Sequence, residues 1–149
     1  MAVAYFSTWT TYGTWLPGDQ RGWFERSRGL QSPNPFRELE AMLRMTEAAV
    51  VLDAEQRRIV EQTIADHCQI RKWTLHCVNC RSNHVHVLTT AVDRQPKEPR
   101  EQFKAWCTRR LKEHDRMKRD NWWTERGWDE YIDDENSLVE VMSYILERQ

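Results

Sequence analysis

Hydrophobic, β-branched and aromatic side chains dominate residues 3–12, which predicts a first strand that ends at Gly13. Glycine and proline interrupt every regular pattern over residues 14–36, so this segment is predicted to be a long loop. A short helix is expected to follow near residues 36–44. The N-terminal third therefore supplies one strand, a loop insertion and a short helix.

Helical spacing of apolar residues returns over residues 54–71, with Asp53 as the predicted N-cap and Gln56 three residues later. Residues 73–78 and residues 84–88 each alternate between apolar and polar side chains, and a polar turn separates them. This pattern predicts a β-hairpin.

The last third of the chain predicts two more helices with an aromatic segment between them. A helix is expected to start near Pro99, because several side chains share one arc at about 100° per residue: Phe103, Trp106, Cys107, His114 and Met117. The Trp-rich residues 122–131 predict a strand or an aromatic loop. Residues 134–149 predict a terminal helix whose inward stripe is Leu138, Val141, Met142 and Ile145.

This order of elements is the βαββαβ pattern of an α+β, ferredoxin-like antiparallel sheet sandwich. A C-terminal helix and a long N-terminal loop insertion are added to it. With 149 residues, of which 40% are hydrophobic and 30% charged, we expect one domain over residues 1–149.

Composition excludes several classes of protein. The chain has five glycines, and they form neither a P-loop nor a GxGxxG turn, so no nucleotide cofactor is expected. No window approaches the ~20 apolar residues of a membrane helix, and the start of the chain does not resemble a secretion signal. Four cysteines in such a chain suggest a reducing compartment, so we expect a cytoplasmic, nucleoid-associated protein without a membrane partner.

The net charge of -1 hides a strong polarity along the chain. Residues 104–119 contain seven basic and two acidic side chains, whereas residues 120–149 contain two basic and nine acidic ones. Arg109, Lys112 and Arg116 fall on one arc of the predicted helix and are candidates for binding nucleic-acid phosphates. A merely solvated helix face explains the same arc equally well.

His84 and His86 are the most distinctive candidates for chemistry. Residues two apart on a strand point to the same face, ~6.5 to 7 Å apart, so both imidazoles can reach one metal ion. Val85 and Val87 then face the helices, which places the histidines on the open face of the sheet. Two surface histidines without a metal are the simpler interpretation of this pattern on its own.

A zinc site is an alternative interpretation of the same segment. Cys77 and Cys80 precede the histidine pair, and the four side chains together form a set that suits tetrahedral zinc. Only one CxxC is present, however, and the alternation of Trp73, Leu75 and Cys77 assigns Cys77 to the core. We therefore favour a buried, reduced Cys77 and a Cys80 in the turn.

Tyr144 lies on the terminal helix away from its apolar stripe. By itself it is a half-buried tyrosine with a solvated hydroxyl. Together with a histidine pair and a cationic helix, it fits cleavage of single-stranded DNA by a covalent route. Trp15, Trp23, Trp122 and Trp123 are candidates for stacking on unpaired bases.

At this point the chain resembles the single-tyrosine HUH transposases, the insertion-sequence and REP-associated tyrosine transposases. The matching segments are NHVHVL at residues 83–88, WTTYGTWLPGD at residues 9–19, and Tyr144-Ile145 on a helix. The resemblance implies that His84 and His86 bind a divalent cation, Mg²⁺ or Mn²⁺, and that Tyr144 attacks a DNA phosphate. It also implies a hairpin-marked or palindromic single strand as substrate, and it leaves a homodimer open.

The chain departs from this family in one respect. The family usually has an amide side chain four residues after the tyrosine as a further metal ligand, and here that position is Arg148. Glu147 and Gln149 are the nearby alternatives, and the third ligand stays open.

Two other functions are consistent with the same residues. A plasmid relaxase or rolling-circle nuclease would use a third histidine or a carboxylate as a further ligand, and His76 is the candidate for that histidine. A ferredoxin-like module that binds single-stranded nucleic acid without catalysis would need no metal and would be indifferent to Tyr144→Phe.

Overall fold

A computed structural model of the protein describes residues 2–25, 28–92, 94–115 and 119–147, apart from the side chains of Phe24, Glu25 and Glu147. The elements in these residues are β1 Ala4–Thr10, β2 Trp23–Glu25, β3 Gly29–Gln31, α1 Pro35–Arg44, α2 Ala54–Arg71, β4 Thr74–Cys80, β5 His84–Thr90, α3 Lys97–His114, β6 Trp128–Ile132 and α4 Glu135–Glu147. None of the described helices is both long and apolar enough to cross a membrane.

Four of the strands form one antiparallel sheet in the order β4-β5-β1-β6. With α2 and α3 as the crossover helices, this is the predicted ferredoxin-like βαββαβ topology, followed by α4. The start of α2 is set locally by a capping box. The Asp53 carboxylate accepts from the Gln56 backbone N–H, and the Gln56 side chain accepts from the Asp53 N–H.

Both faces of the sheet carry a hydrophobic core. On one face, α2 and α3 bury Trp9, Val85 and Val87, as the alternation of β5 predicted. On the other face, which carries the histidines, Leu138 and Ile145 of α4 pack in a second cluster. The prediction of an open histidine face is therefore wrong in part, because the apolar stripe of α4 covers some of it.

Two local predictions need correction, one for the loop after β1 and one for β4. The predicted loop over residues 14–36 contains the small β2–β3 hairpin, whose three-residue strands are too short to show alternation among glycines and prolines. A bulge between Leu75 and Cys77 shifts the pattern of β4. Cys77 therefore joins the α4 core, whereas Cys80 is the last residue of β4 and is buried in the α2–α3 core rather than in a turn.

The buried face of α3 also differs from the prediction. It consists of Phe103, Cys107 and Leu111 with Pro99 and Arg100, whereas Trp106 is 38% exposed and His114 is exposed. The helix ends at His114, and Met117 lies outside the described residues. The helical spacing correctly predicted that Phe103 and Cys107 are buried. Trp106 and His114, at the edges of the predicted face, are exposed instead.

A buried ion pair ties α3 to β6 and gives the first testable prediction. Arg100, whose side chain is 6% exposed, donates from Nη1 to Asp129 Oδ2 at 2.6 Å, and Ser7 donates to Asp129 Oδ1 at 2.7 Å. Asp129→Ala removes the hydrogen-bonded carboxylate and leaves the buried guanidinium only the longer contact with Glu101 at 3.8 Å, so we expect a loss of about 3–5 kcal/mol in the free energy of unfolding, measured in urea.

Glu55→Ala is the matched control for that measurement. It removes the exposed pair of Glu55 with Arg58 at 3.2 Å and should cost about 1 kcal/mol or less. Equal losses in the two variants would mean that the Arg100–Asp129 pair does not hold β6 against α3.

Candidate functional site

A row of four side chains crosses the whole sheet at the level of His86. The strand register pairs His86 with Asn79 on β4 and with Thr8 on β1, and it pairs Thr8 with Trp128 on β6. Directly opposed residues share a face, and neighbouring strands lie about 4.8 Å apart, so the row spans roughly 14 Å. His84 lies on the same face, two residues earlier on β5.

The two imidazoles lie side by side, with ring centroids 4.8 Å apart. His84 Nδ1 is 2.8 Å from Asn83 Oδ1, and His86 Nδ1 is 2.9 Å from Thr8 Oγ1. An amide oxygen only accepts, so Nδ1 of His84 carries a proton, and Nε2 is the ring nitrogen that a metal ion could use. When the Thr8 hydroxyl accepts the Nδ1–H of His86, the lone pair of the neutral His86 ring lies on Nε2. Such hydrogen bonds through Nδ1 orient histidines that bind a metal through Nε2.

Burial keeps His86 neutral. The ring is 8% exposed, and burial, with the neighbouring His84 as a smaller cause, lowers the pKa of His86 to about 4. The neutral imidazole is the form that coordinates a metal ion.

The turn before His84 is held by contacts on three sides. The Arg81 N–H donates to the His84 carbonyl at 2.8 Å, which closes the turn. The carbonyl of Ser82 accepts from Leu52, and the carbonyl of Asn83 accepts from the fully buried Thr11. The start of β5 is therefore a rigid base for the first histidine.

The helix α4 brings Tyr144 to the same place. Its ring centroid lies 6.1 Å from that of His86 and 6.4 Å from that of Phe6, and the residue is 45% exposed. Asn79, the partner of His86 in the register, donates from Nδ2 to the carbonyl of Ile145 at 2.9 Å. One side chain of the row thus holds the backbone of the helix next to the tyrosine.

His84, His86 and Tyr144 line one cleft of about 790 Å³ between the sheet, α4 and the loop after β1. The remaining lining residues that carry charge or an indole ring are Trp15, Arg21, Trp128, Glu130 and Glu140. An aromatic and polar cleft next to two imidazoles and a phenol suits a strand of nucleic acid.

The histidine pair fits a divalent cation as a partial ligand set. Among the described side chains, no group of three or more His, Cys, Asp or Glu residues is arranged to hold a metal. Two histidine nitrogens suffice for an ion whose remaining ligands are oxygens of phosphate and water. The candidates for a third ligand, the Glu147 side chain and Gln149, lie outside the described residues, as does Arg148.

The zinc alternative does not survive the geometry. Cys77 and Cys80 belong to the clusters on opposite faces of the sheet, so they cannot hold one ion together with the histidines. Burial raises the pKa of the Cys80 thiol to about 12, which keeps it protonated. His76 is also remote from the pair, because it hydrogen-bonds Thr90, at the opposite end of β5 from His84.

The basic arc lies away from this cleft. Arg109 and Lys112 are exposed on α3, which packs against the other face of the sheet, and Arg116 lies outside the described residues. Arg109 stacks 4.4 Å above the centroid of Trp106, and Lys112 pairs with Asp120 at 3.5 Å. Their contact with DNA stays a prediction.

The tryptophans divide into structural and accessible ones. Trp122 and Trp23 are 2% and 8% exposed, and Trp123 donates to Thr108 from a half-buried position. These three rings are unsuited to stack on bases, whereas Trp15 and Trp128 line the cleft. Sequence reasoning identified Trp15 but did not assign a role to Thr8, Asn79 or Trp128, since only strand register brings them beside His86.

Comparison with known proteins identifies a family and similar folds. Residues 38–147 match the family described as "Transposase IS200 like". No curated protein matches the chain. A solved REP-associated tyrosine transposase bound to a REP hairpin superposes with a TM-score of 0.57 at 13% identity, over 95% of this chain and 63% of that one. A Deinococcus radiodurans R1 protein classed as a transposase superposes with a TM-score of 0.55 at 14% identity, over 97% and 89% of the two chains. At these identities, the structural matches show that the fold is shared.

Proposed function

Because this chain belongs to the family of IS200-like transposases, we propose that it cleaves and rejoins single-stranded DNA through Tyr144, with His84 and His86 holding Mg²⁺ or Mn²⁺. The observation that carries the proposal is the meeting of both histidines and the tyrosine in one cleft, with the rings of His86 and Tyr144 6.1 Å apart. Hairpin-marked DNA is the proposed substrate, and the solved relative bound to a REP hairpin supports that choice.

In the proposed reaction, Tyr144 Oη attacks the phosphorus of one phosphodiester and loses its proton. The bond from phosphorus to the 3′-oxygen of the upstream fragment breaks, which leaves a 3′-hydroxyl and a 5′-phosphotyrosine link. Attack of a DNA 3′-hydroxyl on that link reverses the exchange, so rejoining needs no nucleotide cofactor. A bound divalent ion would supply Lewis-acid stabilisation of the charge on the phosphate.

The charges of the cleft support a role for a cation. Glu130 and Glu140 lie on the lining together with Arg21. Two carboxylates repel an approaching phosphate unless positive charge is added near the histidines. The Nε2 atoms of His84 and His86 are the proposed ligands for that ion.

Arg109 and Lys112, with Arg116, are proposed to bind phosphates outside the reacting strand. Arg109 and Lys112 lie on the helix layer behind the sheet, so a duplex hairpin stem is a better fit for them than the strand in the cleft.

The proposal is tested with purified protein and single-stranded oligonucleotides that contain the hairpin-forming repeats beside its own gene. With Mn²⁺ present, a denaturing gel should show a protein band that is heavier by the mass of one DNA fragment. DNA that is bound but never linked would instead favour the non-catalytic binding module.

The hydrogen bond from Asn79 to the helix gives a further prediction. Asn79→Ala removes the contact that holds the Ile145 carbonyl, so Tyr144 should be positioned less well. We expect adduct formation to slow roughly 10-fold or more, while the affinity for the oligonucleotide stays within about 2-fold. Gel densitometry and fluorescence anisotropy measure the two quantities.

Asn136→Ala is the control for that variant, because Asn136 is an exposed asparagine in the first turn of the same helix. It should change neither quantity. If Asn79→Ala weakened DNA binding and cleavage by the same factor, the role of Asn79 in positioning the tyrosine would be wrong.

A further inference from the structure

Two indole rings and a guanidinium form one wall of the cleft. The ring centroids of Trp15 and Trp128 lie 5.0 Å apart, with the planes tilted by 46°. Arg21 Cζ lies 4.3 Å from the centroid of Trp15. All three residues line the cleft that also contains His86 and Tyr144.

The loop after β1 is built to hold this wall in place. Arg21 donates from Nε and Nη2 to the carboxylate of Asp19 and from Nη2 to the Thr14 carbonyl, at 2.6 to 2.8 Å. Asp19 is 6% exposed, and its hydrogen bond with Arg21 lowers the pKa of the carboxyl group. Trp15 Nε1 donates to the Gly22 carbonyl at 2.8 Å. Ring and cation are therefore fixed before any ligand arrives.

Trp128 is held in position by the β6 strand of the sheet. Its neighbour Asp129 is anchored to the buried Arg100 on the opposite face, as described above. Trp128 itself is 44% exposed, and the side chain of Arg21 is 47% exposed. A purely structural indole is normally buried, whereas this one leaves a large part of its surface in the cleft.

The separation from the histidines suits a nucleotide chain. Trp128 lies two strands from His86 in the same row, which is roughly 10 Å. That distance equals about three stacked nucleotide steps at ~3.4 Å each, and fewer for an extended strand. A strand whose phosphate lies at the histidines can therefore place a nearby base on Trp128.

We propose that Trp128, supported by Trp15 and Arg21, is a stacking subsite for one unpaired nucleobase a few nucleotides from the reacting phosphate. The inference rests on the proposed function, because it assumes that a single strand enters this cleft. Stacking on an indole is tolerant of sequence, so the subsite holds the strand without reading its bases. The guanidinium of Arg21, paired with Asp19, stacks on Trp15 and supports the indole rather than adding net charge.

The test compares binding of two probes, a dA12 oligonucleotide and an abasic 12-mer with the same phosphates but no bases. Trp128→Ala should weaken binding of dA12 roughly 5- to 150-fold and leave binding of the abasic 12-mer within about 2-fold. Trp128→Phe keeps an aromatic face and should recover most of the dA12 affinity. This rescue separates loss of stacking from loss of folding, which thermal unfolding of each variant checks.

Trp106→Ala is the matched control, because Trp106 is an exposed indole with an arginine above it on the other face of the sheet. It should leave dA12 binding unchanged. The subsite is refuted if Trp128→Ala weakens both probes equally, if Trp106→Ala has the same effect on dA12, or if the wild-type protein does not prefer dA12 to the abasic probe.

Failure of the subsite is distinguishable from failure of the proposed function. The binding comparison needs no cleavage, whereas the covalent adduct on hairpin-bearing DNA needs no Trp128. If Trp128→Ala weakens binding of dA12 but not of the abasic 12-mer, and no adduct forms on hairpin-bearing DNA, the subsite is supported and the nuclease is rejected. If the adduct forms but Trp128→Ala does not weaken dA12 binding selectively, the subsite alone is rejected.

Discussion

Tyr144→Phe is expected to abolish the covalent protein–DNA adduct and to lower strand cleavage by about three orders of magnitude or more. The substitution removes one oxygen, and that oxygen is the proposed nucleophile, so no phosphotyrosine can form. The ring keeps its contacts with Phe6 and His86, and the residue is 45% exposed. Stability and the affinity for single-stranded DNA should therefore change little. Denaturing gels and anisotropy measure the adduct and the affinity.

Tyr131→Phe provides the matched control for this loss. Tyr131 is a 56% exposed tyrosine on the neighbouring β6 strand, and its ring contacts Tyr5 outside the cleft. Its variant should form the adduct at the wild-type rate. An adduct that persisted in Tyr144→Phe would show that another residue is the nucleophile.

The second large effect is expected from the histidines. His84→Ala and His86→Ala each remove one of the two proposed metal ligands, so affinity for Mn²⁺ should fall on the order of 100-fold or more. Adduct formation at fixed Mn²⁺ should fall by a similar factor, and a chelator should stop it in the wild-type protein. Calorimetric titration with Mn²⁺ measures the affinity independently of activity.

His114→Ala is the control here, because His114 is exposed at the end of α3 on the other side of the sheet. It should retain wild-type affinity for Mn²⁺ and wild-type adduct formation. If His84→Ala and His86→Ala bound Mn²⁺ as tightly as this control, the metal would lie elsewhere, and the role proposed for the pair would be wrong.

The elements that were predictable from the sequence are those with local causes. The helix predicted over residues 54–71 is α2, Ala54–Arg71, because the Asp53 and Gln56 side chains cap it within one turn. The alternation of His84, Val85 and His86 predicted which side chains share a face, since strand geometry alone decides that. Errors arose where a nonlocal feature intervened, as the bulge between Leu75 and Cys77 did.

Burial of individual aromatic residues was not predictable in the same way. The chain has eight tryptophans, of which Trp9 is fully buried and Trp128 is 44% exposed. Both lie on strands of the same sheet, and their local sequences do not separate them. Their burial differs because they face different helix layers. The helices α2 and α3 cover Trp9, whereas α4 leaves Trp128 at the edge of a cleft.

Backbone periods of two and 3.6 residues are enough to predict that two histidines point to one side of a strand and that a tyrosine lies on a terminal helix. That this helix packs across the histidine side of the sheet follows from long-range packing instead. The apolar stripe of α4 packs on Leu88 and Ile132, and strand pairing aligns Asn79, His86, Thr8 and Trp128 in one row. Such alignment depends on hydrogen bonds between segments far apart in the chain, which no local pattern encodes.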